Sequence, residues 1–473
     1  MTEATGLVAT VEVAREARAR RIPSDVQTNE PPRLRVIGGG PIRVVAMVGR
    51  DPDLARAASR SALAAGADLI TLLGTEDGRT FVERAELLRA ARPELVVVLA
   101  AERADVDGLV DLIEALRFAS VGQIPAPALL VAGDERTRAR LAAAASTDIE
   151  ALPDARTDPG RDAIVARLRA IRRRGTGDVV LRDEALEAAA RVVAADTGGD
   201  AVVLDVIGGS VSIAHARPDG ATRAVHARFG TGSAADRVVA RAGLDRVRQW
   251  IPRSIEAPAL IERVFNRARW PDAVPASTLA LALEMALARE AIAHTLLDAT
   301  RAGVPVDLFR AAPNLVLTGR LGDLPRAAQA VLVALDGLEP VDTTLVWRDR
   351  DDALVAAAAL ASRGTGAKKP NIERTALVAT MWPRRSATLR VTDANGVVEE
   401  RIARGALLLL PTNGPVEVTA SGTPFRARAD ALALGLIIDA RGRPLALPPR
   451  DAERIPTLVR WNTSLDALPL ENV

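Results

Sequence analysis

The sequence predicts an α/β protein of several domains, on three observations. From Ile42 to about Ala145, short apolar runs alternate with amphipathic helical stretches. From Ala201 to Arg228, three apolar runs are joined by tight turns. From Ala387 onward, the chain reads mostly as strands and turns. A length of 473 residues gives room for two or three domains of ordinary size.

Residues 1–41 are expected to be a mobile leader, ending in Pro31-Pro32 and a glycine run, Gly38 to Gly40. The next region, 42–150, is expected to be a parallel α/β domain. Its strands are Ile42–Val48, Asp68–Leu73, Glu94–Leu99 and Ala128–Ala132. Its helices are Pro52–Ala65, Thr80–Ala91, Val106–Arg117 and Glu135–Ala144. Short continuous apolar strands separated by amphipathic helices imply a sheet covered on both faces. The turn Gly74-Thr75-Glu76-Asp77-Gly78 follows the second strand, at the carboxyl end where open α/β sheets bind ligands.

Residues 150–160 read as a linker, followed by helices Arg161–Arg174 and Arg182–Asp196. Strands follow at Ala201–Val206, Val211–Ala216 and Arg223–Arg228, with Gly208-Gly209-Ser210 and Asp219-Gly220 as the turns. Asp-Gly is a strong hairpin signal. From Ala234 to Leu335 the chain is mainly helical. Ser277–Arg301 is its longest element, Asn314–Leu317 a short strand and Pro325–Asp336 a helix. After the variable segment Arg363–Arg374, strands at Ala387–Val391, Val397–Ile402, Ala406–Leu410, Val416–Thr419 and Leu434–Ile438 suggest a small β domain over 375–450. A C-terminal helix and tail occupy 451–473.

Composition narrows the chemistry. There is no cysteine, which removes disulfides and thiolate nucleophiles. His215, His226 and His294 are scattered without metal-ligand spacing, and Lys368 and Lys369 are the only lysines. Sixty-two basic residues nearly cancel sixty acidic ones. The basic tracts at Ala14–Arg21 and Arg172–Arg174 have no interleaved aromatics, so no nucleic-acid partner is expected. No uncharged apolar run is long enough to span a membrane. The N-terminus lacks the layout of a secretory signal, and a cytoplasmic location is expected.

Two segments could carry chemistry. In Leu204–Ser210, Asp205 ends a buried strand and could hold a magnesium ion. Gly208 and Gly209 would let backbone amides approach phosphate, and Ser210 adds a hydroxyl. In Leu315–Gly322, a strand ends at Thr318-Gly319 with Gly322 after it, a turn able to pass under an adenine or ribose. Either segment alone is also an ordinary strand connection.

Their order, a phosphate hairpin, a helical span and then an adenosine turn, resembles that of actin-like ATPases. Further strings resemble the glutamate mutase L family. These are Gly435–Pro448 (GLIIDARGRPLALP), Leu244–Pro252 (LDRVRQWIP), Asn266–Pro271, Ala288-Arg289-Glu290-Ala291 and Ala327–Pro340 (AAQAVLVALDGLEP). Gly38–Val48 and Gly74–Gly78 match more loosely, and the resemblance runs from about residue 36 to 465. It implies actin-like (ribonuclease-H-like) ATPase domains, with residues 151–365 as the nucleotide-fold domain. It implies Asp205 as catalytic and metal-holding residue, and ATP contacts at Gly208, Gly209, Ser210, Thr318, Gly319 and Gly322, with Asp77 and Gly78 as outlying candidates. It also implies a chaperone-like or reactivating role toward subunits of a cobalamin-dependent mutase.

The sequence departs from that family in specific places. Residues 1–41 contain no Asp-x-Gly-(Ser/Thr) phosphate loop. The second hairpin carries one extra residue, Arg228-Phe229-Gly230 stands where the family has Asp-Leu-Gly, and the adenosine turn keeps only Gly319 and Gly322. Each change removes a phosphate donor or a carboxylate. Clamping Mg-ATP needs both hairpins, so the expectation is a degenerate, non-hydrolysing member. The alternatives are an active ATPase or small-molecule kinase, and a purely structural assembly protein.

Overall fold

The computed structural model describes residues 7–15, 18–28, 33–37, 42–101, 105–122, 126–145, 149–173, 179–364, 370–421 and 425–468. In chain order, β1 (Leu7–Arg15), β2 (Arg18–Thr28) and β3 (Arg33–Ile37) come first. The alternating region then runs β4 (Arg43–Val48), α1 (Pro52–Ala65), β5 (Asp68–Gly74), α2 (Phe81–Ala91), β6 (Leu95–Leu99), α3 (Val106–Ala119), β7 (Ala128–Ala132), α4 (Glu135–Ala145), β8 (Ile149–Leu152) and α5 (Asp158–Arg172). Strand β9 (Val179–Leu181) leads directly into α6 (Arg182–Thr197). The meander is β10 (Ala201–Val206), β11 (Val211–Ala216) and β12 (Thr222–Ala227).

Helices α7 (Ala235–Ala242), α8 (Leu244–Arg248), α9 (Ala257–Arg269), α10 (Thr278–Arg301) and α11 (Asp307–Arg310) follow. Then come β13 (Asn314–Gly319), α12 (Ala327–Gly337), β14 (Thr343–Arg348) and α13 (Ala353–Ala361). The rest is β15 (Glu373–Thr380), β16 (Ser386–Asp393), β17 (Gly396–Ala403), β18 (Leu407–Leu410), β19 (Val416–Ala420), β20 (Arg426–Ala429), β21 (Gly435–Asp439) and α14 (Asp451–Ser464).

The alternating region forms a parallel five-stranded sheet of order β5-β4-β6-β7-β8. Alternate residues of β4 and β6 enter opposite cores. Val44, Ala46 and Val48 face α1 and α5, while Val45 and Met47 face α2 and α3. Helix α5 begins inside the expected linker because Thr157 caps it, accepting from the Gly160 amide at 3.1 Å, with Pro159 in its first turn. The unit therefore runs past residue 150, and α5 folds back onto α1.

The principal sheet has eight strands in the order β12-β11-β10-β13-β14-β15-β21-β18. Its first five follow the pattern 3-2-1-4-5. Strands β10, β11 and β12 are antiparallel neighbours, and β13 and β14 run parallel to β10. That order, with those directions, is the sheet expected of an actin-like α/β domain. Period-two alternation splits β10 between two cores. Val202, Leu204 and Val206 face α10 and α12, while Ala201 and Val203 face α6 and α13. Asp205 follows the second set and points toward the start of α6.

Two expectations need correction. The leader is not free chain: β1, β2 and β3 join β9 in a four-stranded sheet of order β2-β1-β3-β9, with Val13, Leu34 and Val36 buried against α6 and α13. Charged residues interleaved with valines concealed that period of two. Nor is 375–450 an independent β domain. Strand β15 pairs antiparallel with β14 and parallel with β21, so β15, β21 and β18 extend the principal sheet. Only β16, β17, β19 and β20 form a sheet apart. Strand β14 and helix α13, unrecognised in the sequence, bridge the two regions.

Candidate functional site

Asp205, the penultimate residue of β10, is completely buried. Arg182, the first residue of α6, approaches it as a fork. Its Nε lies 2.8 Å from Oδ2 and its Nη2 lies 2.8 Å from Oδ1. The same Nη2 donates to Oδ1 of Asp352 at 2.7 Å. Burial works against the Arg182 charge, yet these carboxylates hold its pKa well above the ordinary arginine value. A bidentate arginine–carboxylate pair is both strong and geometrically exclusive.

Thr318 lies beside Asp205 in the β10–β13 register. Its hydroxyl donates within reach of Asp349 Oδ2 at 3.0 Å and Asp352 Oδ1 at 3.1 Å. Asp349 also accepts the Leu354 amide at 3.0 Å, tying down the start of α13. Burial first, and the neighbouring Asp352 second, push the Asp349 pKa up to about 7. Asp351 and Asp352 hold left-handed backbone at φ 64° and 58°, an unfavourable conformation for residues with a Cβ. Nothing in the local sequence singles out Arg182 or this aspartate cluster as partners. The acidic run Asp349–Asp352 was the available signal, but it follows a strand that had not been recognised.

The hairpin Gly208-Gly209-Ser210 sits beside this pair but is covered by its own chain. The Ile207 amide closes the turn onto the Ser210 carbonyl at 2.9 Å. The Gly208 carbonyl accepts from Gly232 at 2.9 Å and Ala234 at 3.0 Å. A Cβ on Gly209 would stand 3.2 Å from Ser233 Oγ. Outside the turn, buried Glu284 accepts from Thr231 at 2.8 Å and from Arg320 at 3.1 Å, and it pairs with Arg267. The space between hairpin and adenosine turn is thus crossed by side chains of the protein itself.

Gly319 and Gly322 serve close packing of backbone. Gly319 has φ 66°, and a Cβ there would overlap Asp205 and the Val206 carbonyl. A Cβ on Gly322 would overlap the Asp349 carbonyl. Asp77 and Gly78 lie on the other sheet, after β5. Asp77 is held by Arg84 at 2.8 Å and Arg79 at 3.1 Å. Burial raises its pKa, but these arginines and the Arg79 amide outweigh that and lower it. The structure therefore brings Asp205, Ser210, Thr318 and Gly319 together at one end of the principal sheet, and leaves Asp77 and Gly78 apart.

The residues present do not fit a magnesium ion at Asp205. Both its oxygens are engaged by Arg182, and the Gly319 backbone closes the remaining side. Arg228, following β12, places a cation where the family-like pattern has an acid. Among the described residues, no group of three or more His, Asp or Glu side chains is arranged to hold a metal.

Four of the strings singled out in the sequence, Leu244–Pro252, Ala288–Ala291, Ala327–Pro340 and Gly435–Pro448, meet in the interior, while Asn266–Pro271 lies at the surface. Asp336 of α12 accepts from Arg289 of α10 at 2.6 Å and from Arg441 at 2.7 Å. Arg441 also forks onto Asp439, 3.0 Å from each oxygen, and Arg443 reaches Asp439 at 2.7 Å. Burial opposes ionisation of Asp439, but Arg441 and Arg443 overcome it and hold its pKa at about 2. Trp250 donates to Glu290 at 2.6 Å, with the Arg289 guanidinium 5.3 Å above its ring. These contacts form one buried network of ion pairs and hydrogen bonds joining the segment after α8 to α10, α12 and the end of β21.

No family model and no curated protein matches the chain. Among solved structures, the crystal structure of Ta0583, an archaeal actin homolog, is similar over 54% of this chain and 74% of that chain. The sequence identity is 12% and the TM-score 0.23. A superposition that loose carries no argument; the strand order of the principal sheet does. Among the described residues, no helix is long and apolar enough to cross a membrane.

Proposed function

We propose that this chain is a non-hydrolysing protein of actin-like fold that acts as an accessory or reactivating factor for a partner enzyme. The observation that carries the reading is the fork of Arg182 onto Asp205. The carboxylate best placed to position a metal-bound nucleotide is instead spent on tethering α6 and the α13 loop to the sheet. A hydrolase or kinase of this fold needs that carboxylate open and its hairpin amides exposed; here neighbouring chain covers the hairpin.

A role exercised through a protein partner draws support from exposed apolar side chains around the end of α9. Phe265, Trp270 and Val274 are 59%, 63% and 81% exposed, and large exposed apolar side chains near one another are a feature of protein–protein contact surfaces. The shared strings point to a cobalamin-dependent mutase as the partner. Calorimetry and phosphate release with Mg-ATP test the catalytic half of the reading: neither heat nor phosphate is expected, and release abolished by Asp205→Asn would overturn it. Affinity capture from host extract tests the other half, with mutase subunits as the expected catch.

A further inference from the structure

A cleft of about 570 Å³ separates the five-stranded unit from the principal domain, within the size range of small-molecule sites. One wall is α1 and the start of β5; the other is the end of β12 with α7 and α10. Leu63, Leu69 and Phe229 supply apolar surface. Four arginines, Arg228, Arg237, Arg241 and Arg301, face only two aspartates there. Asp68 is taken by Arg237 at 2.8 Å. Asp298 is taken by Arg241, with Arg301 at 3.7 Å. Arg228 is left over: among the described residues it has no carboxylate within ion-pair distance, and its Nε has no hydrogen-bond partner. Burial lowers its pKa; Asp68, beyond ion-pair distance, works against that, and nearby Arg237 and Arg172 lower it further.

His226, two residues earlier on the same wall, is 4% exposed, and its Nδ1 has no partner among the described residues. Arg228 and His226 also border a smaller cavity of about 20 Å³, where Arg182 Nη1 has no partner. A half-buried guanidinium without a carboxylate in contact is costly in a finished fold. Guanidinium recognises carboxylate and phosphate in the same planar manner. We propose that this cleft binds a small organic oxyanion, its carboxylate or phosphate head on Arg228 and its apolar body against Leu63, Leu69 and Phe229. Because the walls belong to two units, already latched by Arg237 and Asp68, an occupant would brace one against the other. The contacts assigned to the anion, Arg228, Leu63, Leu69 and Phe229, include none of the residues bonded to Asp205, and the cleft stands apart from the accessory role.

The test is calorimetric titration of the full chain with hexyl phosphate, heptanoate and inorganic phosphate, the first two distinguishing a phosphate from a carboxylate head. At least one alkyl anion should bind about ten-fold or more tightly than inorganic phosphate. Arg228→Met should weaken that binding by about ten-fold or more while raising the melting temperature of the unliganded protein, since it removes an uncompensated charge. Ala240→Trp, at an exposed position of α7 lining the cleft, should block binding with Arg228 still present. No binding by either alkyl anion, binding untouched by both substitutions, or inorganic phosphate binding equally well would each overturn the proposal.

Discussion

Arg182 and Asp205 are joined by two hydrogen bonds of 2.8 Å, both groups removed from water. The pair connects the first turn of α6 to the end of the central strand β10, and through Asp352 it also fixes the loop before α13. A residue expected to do chemistry has become a structural anchor.

Arg182→Met should be severely destabilising, because Asp205 and Asp352 would remain buried without their cation. Losing one partner of a buried pair costs about 3–5 kcal/mol. Adding Asp205→Asn should recover part of the loss, so the double variant should be more stable than the sum of the singles. Urea unfolding of the four proteins measures this; strict additivity would show that the two residues are not coupled.

Asp349 should make the fold less stable as pH rises from about 4 toward about 7. Its folded-state pKa, about 7, lies above the ordinary value of 3.8. The native state therefore holds a proton across that window that the unfolded chain has released, and stability falls with pH by at most roughly 1.4 kcal/mol per unit. Asp349→Asn keeps an acceptor for the Leu354 amide and removes the titration. Melting temperatures between about pH 5 and 8 should slope less in the variant than in the native protein.

Asp439 acts in the opposite sense. Its pKa is held at about 2, below the ordinary 3.8, so its contribution is present above about pH 4 and is lost as pH falls toward about 2. Asp439→Asn should cost roughly 2 kcal/mol or more at neutral pH, and its stability should converge with that of the native protein in acid. Denaturant midpoints at the two extremes of pH provide the comparison.

Two glycines with similar backbone angles should respond differently to alanine. Gly78 has φ 71° and open space around its missing Cβ, so Gly78→Ala should cost only the left-handed penalty of about 1–2 kcal/mol. Gly319 has φ 66°, and a Cβ there would collide with Asp205 and with backbone. Gly319→Ala should cost clearly more, as read by denaturant unfolding. Equal losses would mean that β10 and β13 can part without penalty.

Much of the local architecture is legible in the chain. The alternation from Ile42 to Ala145 announces a parallel sheet, because strands buried on both faces must be continuously apolar and the helices between them amphipathic. Asp219-Gly220 and the flanking valines and alanines specify the meander. The candidate residues Asp205, Ser210, Thr318 and Gly319 do converge. Strands with charged residues between apolar ones, as in β1 and β2, were not legible. Neither was β15, whose partners β14 and β21 are decided by long-range pairing.

The sequence by itself determined which segments form strands and helices in the parallel and meander regions, since those follow from local periodicity, capping and turn chemistry. Only the tertiary structure decided what Asp205 does. Whether a buried carboxylate awaits a metal or satisfies an arginine depends on which side chain reaches it across the fold. Arg182 is 23 positions away in sequence, Asp352 147 positions away, and no local pattern encodes their meeting at one sheet end.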